Sequence, residues 1–239
     1  DQIAVSLADS ALTNLAITTS ASGGGLVSVS DADNFSGLTI TRGAGQLLLG
    51  AVNPGVAAAF ALTATDGNIV VGGDIANVGA LTLNAGRGFN LTGNLLIQAA
   101  GGARSISANT YDLRAGQDVL IRAGAMAGEN VTVTQSGNFG SSSVSAGRDI
   151  VLAANGGSAS LLHTAVNGSQ SLNAGRDFLV DAGSAGIANA SASVVSSTSQ
   201  NISTGRDFAV RGGSAGQASA RVSAVLNQSM SQIGGSVMV

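Results

Sequence analysis

Cysteine, tryptophan and lysine are absent from this chain of 239 residues, and proline, histidine and tyrosine occur once each. Without cysteine there is no disulfide framework and no thiol chemistry. Without lysine every cation is an arginine, and 10 arginines against 13 acidic residues leave a net charge of −3 and a pI near 4.8. That balance lacks the basic stripe that nucleic-acid binding requires. Aromatics make up 3% and charged residues 10% of the chain, too few large side chains for a conventional globular core. No window approaches the ~18 consecutive apolar residues of a membrane-spanning helix, so the chain is not expected to span a membrane. No signal peptide is visible at the start, where Asp1-Gln-Ile-Ala-Val5 reads as strand, and the chain is expected to begin inside a larger protein.

Glycine is abundant instead, at 35 residues, and it is periodic. The segment Ala174-Gly-Arg-Asp-Phe-Leu-Val180 recurs as Ala146-Gly-Arg-Asp-Ile-Val-Leu152, Thr204-Gly-Arg-Asp-Phe-Ala-Val210, Ala115-Gly-Gln-Asp-Val-Leu-Ile121 and Ala85-Gly-Arg-Gly-Phe-Asn-Leu91. A decayed copy is Gly234-Gly-Ser-Val-Met-Val239. The glycines Gly86, Gly116, Gly147, Gly175, Gly205 and Gly234 stand about 30 residues apart, the signature of stacked units that cannot bury an apolar face alone. Aligned on the glycine, apolar residues stand three before it (Leu83, Leu113, Val144, Leu172, Ile202), three after it (Phe89, Val119, Ile150, Phe178, Phe208) and five after it (Leu91, Ile121, Leu152, Val180, Val210). The period is two, that of strands, and the glycine marks a corner.

A second small-residue cluster follows at Ala123-Gly124, Ala182-Gly183 and Gly212-Gly213, and then another alternating run, Ala188 to Val194, with its partner one period later at Ala218 to Ala224. One period thus holds about three short strands. The expected fold is all-β, a parallel β-helix (β-solenoid) of roughly 20–30 residues per coil, with equivalent side chains about 4.8 Å apart. It covers 1–239 as one domain, regular over 83–239. Over 1–82 the coils are shorter, with strand signals at Leu38–Ile40, Gln46–Leu49, Ala61–Thr63, Asn68–Val71 and Leu81–Leu83 and a turn at Asn53-Pro54-Gly55.

The columns Leu-x-Ala-Gly-Arg-Asp-apolar-x-apolar, followed by Ala-Gly-Ser, resemble the haemagglutinin repeats of filamentous-haemagglutinin-type exoproteins, most strongly over 83–239. The resemblance implies a right-handed β-helix and export through an outer-membrane partner by two-partner secretion. It also implies a rod-like shaft, secreted or held at the bacterial cell surface, that serves adhesion to host-cell or matrix glycans or proteins and biofilm formation. The family's shaft repeats supply no catalytic residue to carry over, so no enzyme activity and no cofactor are expected.

The acidic column Asp118, Asp149, Asp177 and Asp207 admits three readings. Stacked carboxylates roughly 5 Å apart match the spacing of a retaining glycosidase pair or a calcium ladder. Alternatively each caps a corner or pairs with Arg148, Arg176 or Arg206. The last is preferred, because an enzyme needs two unlike carboxylates in unlike environments. His163, the sole histidine, is expected at an exposed strand position, with no second ligand for a metal. Tyr111 alone makes a poor aromatic platform for sugars. Gly23-Gly-Gly25 and Gly101-Gly102 resemble phosphate loops only in composition. Sequons stand at Asn34, Asn90, Asn130, Asn167, Asn189, Asn201 and Asn227, positions that corners and outward faces favour anyway. Ser191-Ala-Ser193 and Ser196-Ser-Thr-Ser199 are expected on flat, sparsely charged outer faces. Two alternatives to a shaft remain: a polysaccharide-acting enzyme on a β-helix, and a filament subunit whose uncapped coils associate end to end.

Overall fold

The structure, a computed structural model, describes residues 2–6, 15–19, 26–30, 32–33, 37–53, 58–86, 91–183, 189–214, 216–231 and 233–239. These form strands, corners and turns, with every strand pair parallel. The protein is a β-solenoid. Ten strands stack in one sheet, in the order Gln2–Ser6, Leu26–Ser30, Gln46–Leu49, Ile69–Val71, Leu95–Gln98, Val119–Arg122, Ile150–Ala153, Phe178–Asp181, Phe208–Arg211 and Val237–Met238. At about 4.8 Å per step the stack is about 43 Å tall.

The second sheet forks. Four of its early strands are long, Gly37–Ala44, Ala58–Asp66, Ile75–Ala85 and the twelve-residue Arg104–Ala115. Above Arg104–Ala115 two ladders diverge. Arg104–Ala108 pairs with Val131–Gln135, while Asp112–Ala115 pairs with Ser143–Ala146. The break between them is Ser136–Ser141, an insertion carrying Gly137 and Gly140. The coil lengthens accordingly, with Leu95 under Val119 but Val119 under Ile150. Each later coil carries three strands, as in Ile150–Ala153, Ala159–His163 and Ser169–Ala174.

Alternation places the core. Val119, Ile121, Ile150, Leu152, Phe178 and Val180 are fully buried, each above its counterpart in the preceding coil. Phe178 and Phe208 stack with ring centroids 5.5 Å apart and planes 7° from parallel, the offset geometry that aromatic pairs favour. The corner glycines answer to backbone proximity. A Cβ on Gly175 would run into the carbonyl oxygen of Gly147, and one on Gly147 into that of Gly116. Any side chain at this corner would push two coils apart.

Two expected registers are corrected. Ala85 and Leu83 do sit under Ala115 and Leu113, but Val119 pairs with Leu95 and Ile121 with Ile97. The segment between Gly86 and Gly93, whose backbones touch, is an excursion from the same corner. Leu91 is half-exposed at positive φ and is no core residue, and Phe89 lies outside the described residues, as do Pro54 and Gly23–Gly25. Likewise Ala192 pairs with Ala220 and Val194 with Val222, two residues from the expected alignment of the Ala188 run. A two-residue shift keeps the same side chains inward, so alternation alone does not distinguish the two.

Candidate functional site

One column runs along the corner-proximal edge of the first sheet. The amide N–H of Asn94 donates to Asn68 Oδ1 (2.8 Å), and that of Asp118 to Asn94 Oδ1 (3.1 Å). The same bond continues upward: Asp149 N–H to Asp118, Asp177 N–H to Asp149 and Asp207 N–H to Asp177, each 3.2 Å. Ser236 N–H closes the series on Asp207 at 2.9 Å. Each Asx side chain therefore caps the backbone of the coil above it.

The arginines follow the same direction. Arg148 Nε donates to Asp118 Oδ1 (2.7 Å), Arg176 Nε to Asp149 (2.8 Å) and Arg206 Nε to Asp177 (2.9 Å), and in each case Nη2 bonds the other oxygen of the same carboxylate. This two-pronged grip requires a planar guanidinium, which lysine cannot offer. The column is acidic where the coil above brings an arginine. Where that coil offers Gly93 or Gln117, the residues are the neutral Asn68 and Asn94. Asp207 departs from the rule, since Gly235 stands where the next arginine would be. Among the described residues its one guanidinium contact is the Nε of its own neighbour Arg206, at 3.2 Å.

These contacts set the charges. Partial burial pushes the Asp177 carboxyl up, but the Arg206 hydrogen bond, the Asp207 N–H and the nearby charges of Arg206 and Arg176 outweigh it, holding it below its usual range. The carboxylate hydrogen bond raises each of Arg148, Arg176 and Arg206. Every carboxylate from Asp118 to Asp177 thus already receives a guanidinium and a backbone N–H, an arrangement suited to joining coils. Among the described residues no group of three or more His, Cys, Asp or Glu side chains converges on a point that would hold a metal ion.

A second polar column is internal, under the corner that joins the two ladders of the forked sheet. Gln228 Nε2 donates to Gln200 (2.8 Å), Gln200 Nε2 to Gln170 (2.6 Å) and Gln170 Nε2 to the Tyr111 hydroxyl (2.8 Å). Gln170, Gln200 and Tyr111 are buried. Burial pushes the Tyr111 phenol well up, against a smaller downward pull from Gln170. His163 belongs here too, and the expectation of an exposed strand position is corrected. It is the inward-facing end of Ala159–His163, 1% exposed, with Nε2 3.1 Å from Thr198 Oγ1. Burial lowers its pKa from 6.5. Ser196 and Thr198 are buried as well, so this part of the serine-rich run faces the core. The corner loops expose carbonyls to the interior, which these side chains satisfy: Gln135 Nε2 donates to Gly140 O and Ser196 Oγ to Ser199 O.

The remaining features lie outside. Ser191 and Ser193 do face outward and bond to Ser158 and Ser160 one coil below, both at 3.0 Å. Thr82, Asp112, Ser143 and Ser171 stack in register along a groove of about 320 Å³ at the fork, where Ser143 Oγ donates to Asp112 (2.5 Å). Gly101-Gly102 forms an open turn whose Gly101 N–H, with Met126 N–H, binds the Glu129 carboxylate at 2.7 and 3.0 Å. The sequons Asn130, Asn167, Asn189, Asn201 and Asn227 are exposed; Asn34 and Asn90 lie outside the described residues.

The first sheet's outer face escaped the alternation argument. Leu48, Val70, Leu96, Leu120, Val151 and Leu179 stand one above another there, each partly exposed. A second groove, of about 240 Å³, runs between this stripe and the Asx column, lined by Val70, Leu96, Leu120, Asn68, Asn94 and Asp118. The signal was present in sequence as unbroken apolar triplets such as Val119-Leu-Ile121, the pattern of a strand apolar on both faces. No family model, curated protein or solved structure matches this chain.

Proposed function

We propose that this chain is a shaft segment of a large secreted bacterial adhesin of the filamentous-haemagglutinin type. In this reading it acts mechanically, holding adhesive surface away from the cell, and reaches the outside through an outer-membrane secretion partner. The observation that carries the reading is that polar chemistry is spent between coils. An Asx side chain bonds the backbone amide of the coil above at every step from Asn68 to Asp207. A guanidinium joins it at Asp118, Asp149 and Asp177, and the internal glutamines join coils from within. Such contacts stiffen a rod along its axis, and stability in a stack of this kind is a sum of nearest-neighbour interfaces.

The test is binding of the isolated chain to host cells, matrix proteins and glycan arrays, beside force spectroscopy of the same chain. The shaft reading expects no saturable binding and unfolding in successive coil-sized steps. Saturable glycan binding would make the segment an adhesive module instead. Cleavage of acidic polysaccharide that disappears in Asp149→Asn or Asp177→Asn would make it an enzyme.

A further inference from the structure

A parallel sheet whose strands are apolar on both faces is ordinarily covered on both. Here the inner face is covered by the second sheet. The outer face carries a straight aliphatic stripe from Leu48 to Leu179, about 24 Å long at 4.8 Å per level, with the small Ala209 one level further. Among the described residues no second layer lies on it, and its six large members are all partly exposed. A continuous apolar stripe of this kind marks an interaction surface.

The column beside the stripe points to the occupant. Gln98, Arg122, Ala153, Asp181 and Arg211 lie in register on successive levels of the same outer face. Among the described residues neither Arg122 nor Arg211 has an ion-pair partner. Among the described residues, Asp181 accepts a hydrogen bond from the nearby Gly183 N–H alone, at 2.8 Å. The charges are antisymmetric about Ala153, with arginine one level below it and aspartate one level above. We propose that this face docks a second copy of the same chain, antiparallel, about a two-fold axis through the level of Val151 and Ala153.

That axis exchanges levels above and below Ala153. Arg122 of each copy then faces Asp181 of the other, twice per dimer, and Gln98 faces Arg211. Leu120 meets Leu179, Val151 meets its own counterpart, and Ala153 lets the backbones approach at the centre. On the stripe's other side the Asx column meets itself with its carboxylates already neutralised by Arg148, Arg176 and Arg206. A parallel pairing would set Arg122 against Asp118, already gripped by Arg148, and Asp181 against Asp177, carboxylate against carboxylate, so that Arg211 alone would meet a less engaged partner, Asp207. Seven levels of the stripe and the Asx column, from Val70 to Met238, and five of the arginine column give on the order of 800 Å² buried in total. That is the size of a weak, reversible interface. The inference concerns the side of the solenoid and does not rest on the shaft reading.

The experiment is sedimentation equilibrium of the full chain from about 10 μM to about 1 mM, with far-UV circular dichroism confirming that each variant is folded. The mass is expected to rise with concentration from 23.1 kDa toward twice that value. Arg122→Asp and Asp181→Arg are each expected to stay monomeric, because each sets like charges opposite one another twice. Their equimolar mixture is expected to form heterodimers at least about tenfold more tightly than either variant pairs with itself. Ala153→Cys, in a chain with no other cysteine, tests the axis without altering charge. Copper–phenanthroline, as oxidant, should join two Ala153→Cys thiols of paired copies in one disulfide. Gln98→Cys, about 19 Å from its counterpart in the same arrangement, should cross-link far more slowly. A wild-type chain that remains at 23.1 kDa throughout overturns the proposal. So does a variant mixture no tighter than its components, or equal cross-linking at Ala153 and Gln98.

Discussion

Arg206 Nε donates to Asp177 Oδ1 at 2.9 Å, from one coil to the coil 29 residues before it. The same carboxylate oxygen accepts the Asp207 N–H. One aspartate therefore holds both the side chain and the backbone of the coil above, and the two roles separate by mutation. Asp149→Asn should keep the backbone bond, as Asn68 and Asn94 do, and lose the grip on Arg176 together with the longer Arg148 contact at 3.7 Å. With the Arg176 side chain 44% exposed and screened by solvent, that loss should be the smaller of the two effects. Asp149→Ala should cost about 1–2 kcal/mol, because the Asp177 N–H then loses its acceptor. Urea denaturation of both variants checks the order, and equal losses would refute the capping role.

The corner glycine should be intolerant for a reason independent of φ. Gly175→Ala drives a Cβ into the Gly147 carbonyl and is expected to cost about 3 kcal/mol, as the coils must part. Gly101→Ala is the control. It sits at φ +73 with open space around it, and should cost about 1 kcal/mol from backbone strain alone. Thermal denaturation of the two variants gives the comparison.

Acidification should destabilise the fold in two windows. His163 is buried, with its pKa below 6.5, so below 6.5 the unfolded chain binds a proton that the folded chain refuses. Stability falls as pH drops from 6.5 toward the folded value. Asp177 and Glu129 have carboxyls held below their usual 3.8 and 4.5, so their contribution is present above those values and is lost on further acidification. Chemical denaturation at a series of pH values should show both slopes. His163→Gln should remove the upper one alone, and an unchanged upper slope in that variant would show that another group causes it.

The internal glutamine column should be sensitive to single truncation. Gln170→Ala leaves the buried Tyr111 hydroxyl and Gln200 amide without these partners. A cost of about 2–4 kcal/mol is expected. Tyr111→Phe removes one end of the chain of bonds and should cost less. Denaturation of the two variants orders them.

The sequence alone determined the solenoid, its corner and the Asp–Arg column. A side chain repeated every thirty residues beside a glycine has only one way to be buried in a chain so poor in large residues, and that is against its own copy. Alternation of period two located Phe178 and Phe208 correctly in the core for the same reason. Registers that differ by two residues look identical to that argument, so the excursion between Gly86 and Gly93 and the pairing of Val194 with Val222 needed the tertiary structure. So did His163 and Ser196, because their partners, the Thr198 hydroxyl and the Ser199 carbonyl, are brought inside only by the corner of the folded coil. The aliphatic outer stripe was written in the triplets, but whether a second layer covers such strands is decided only when the rest of the chain has taken its place.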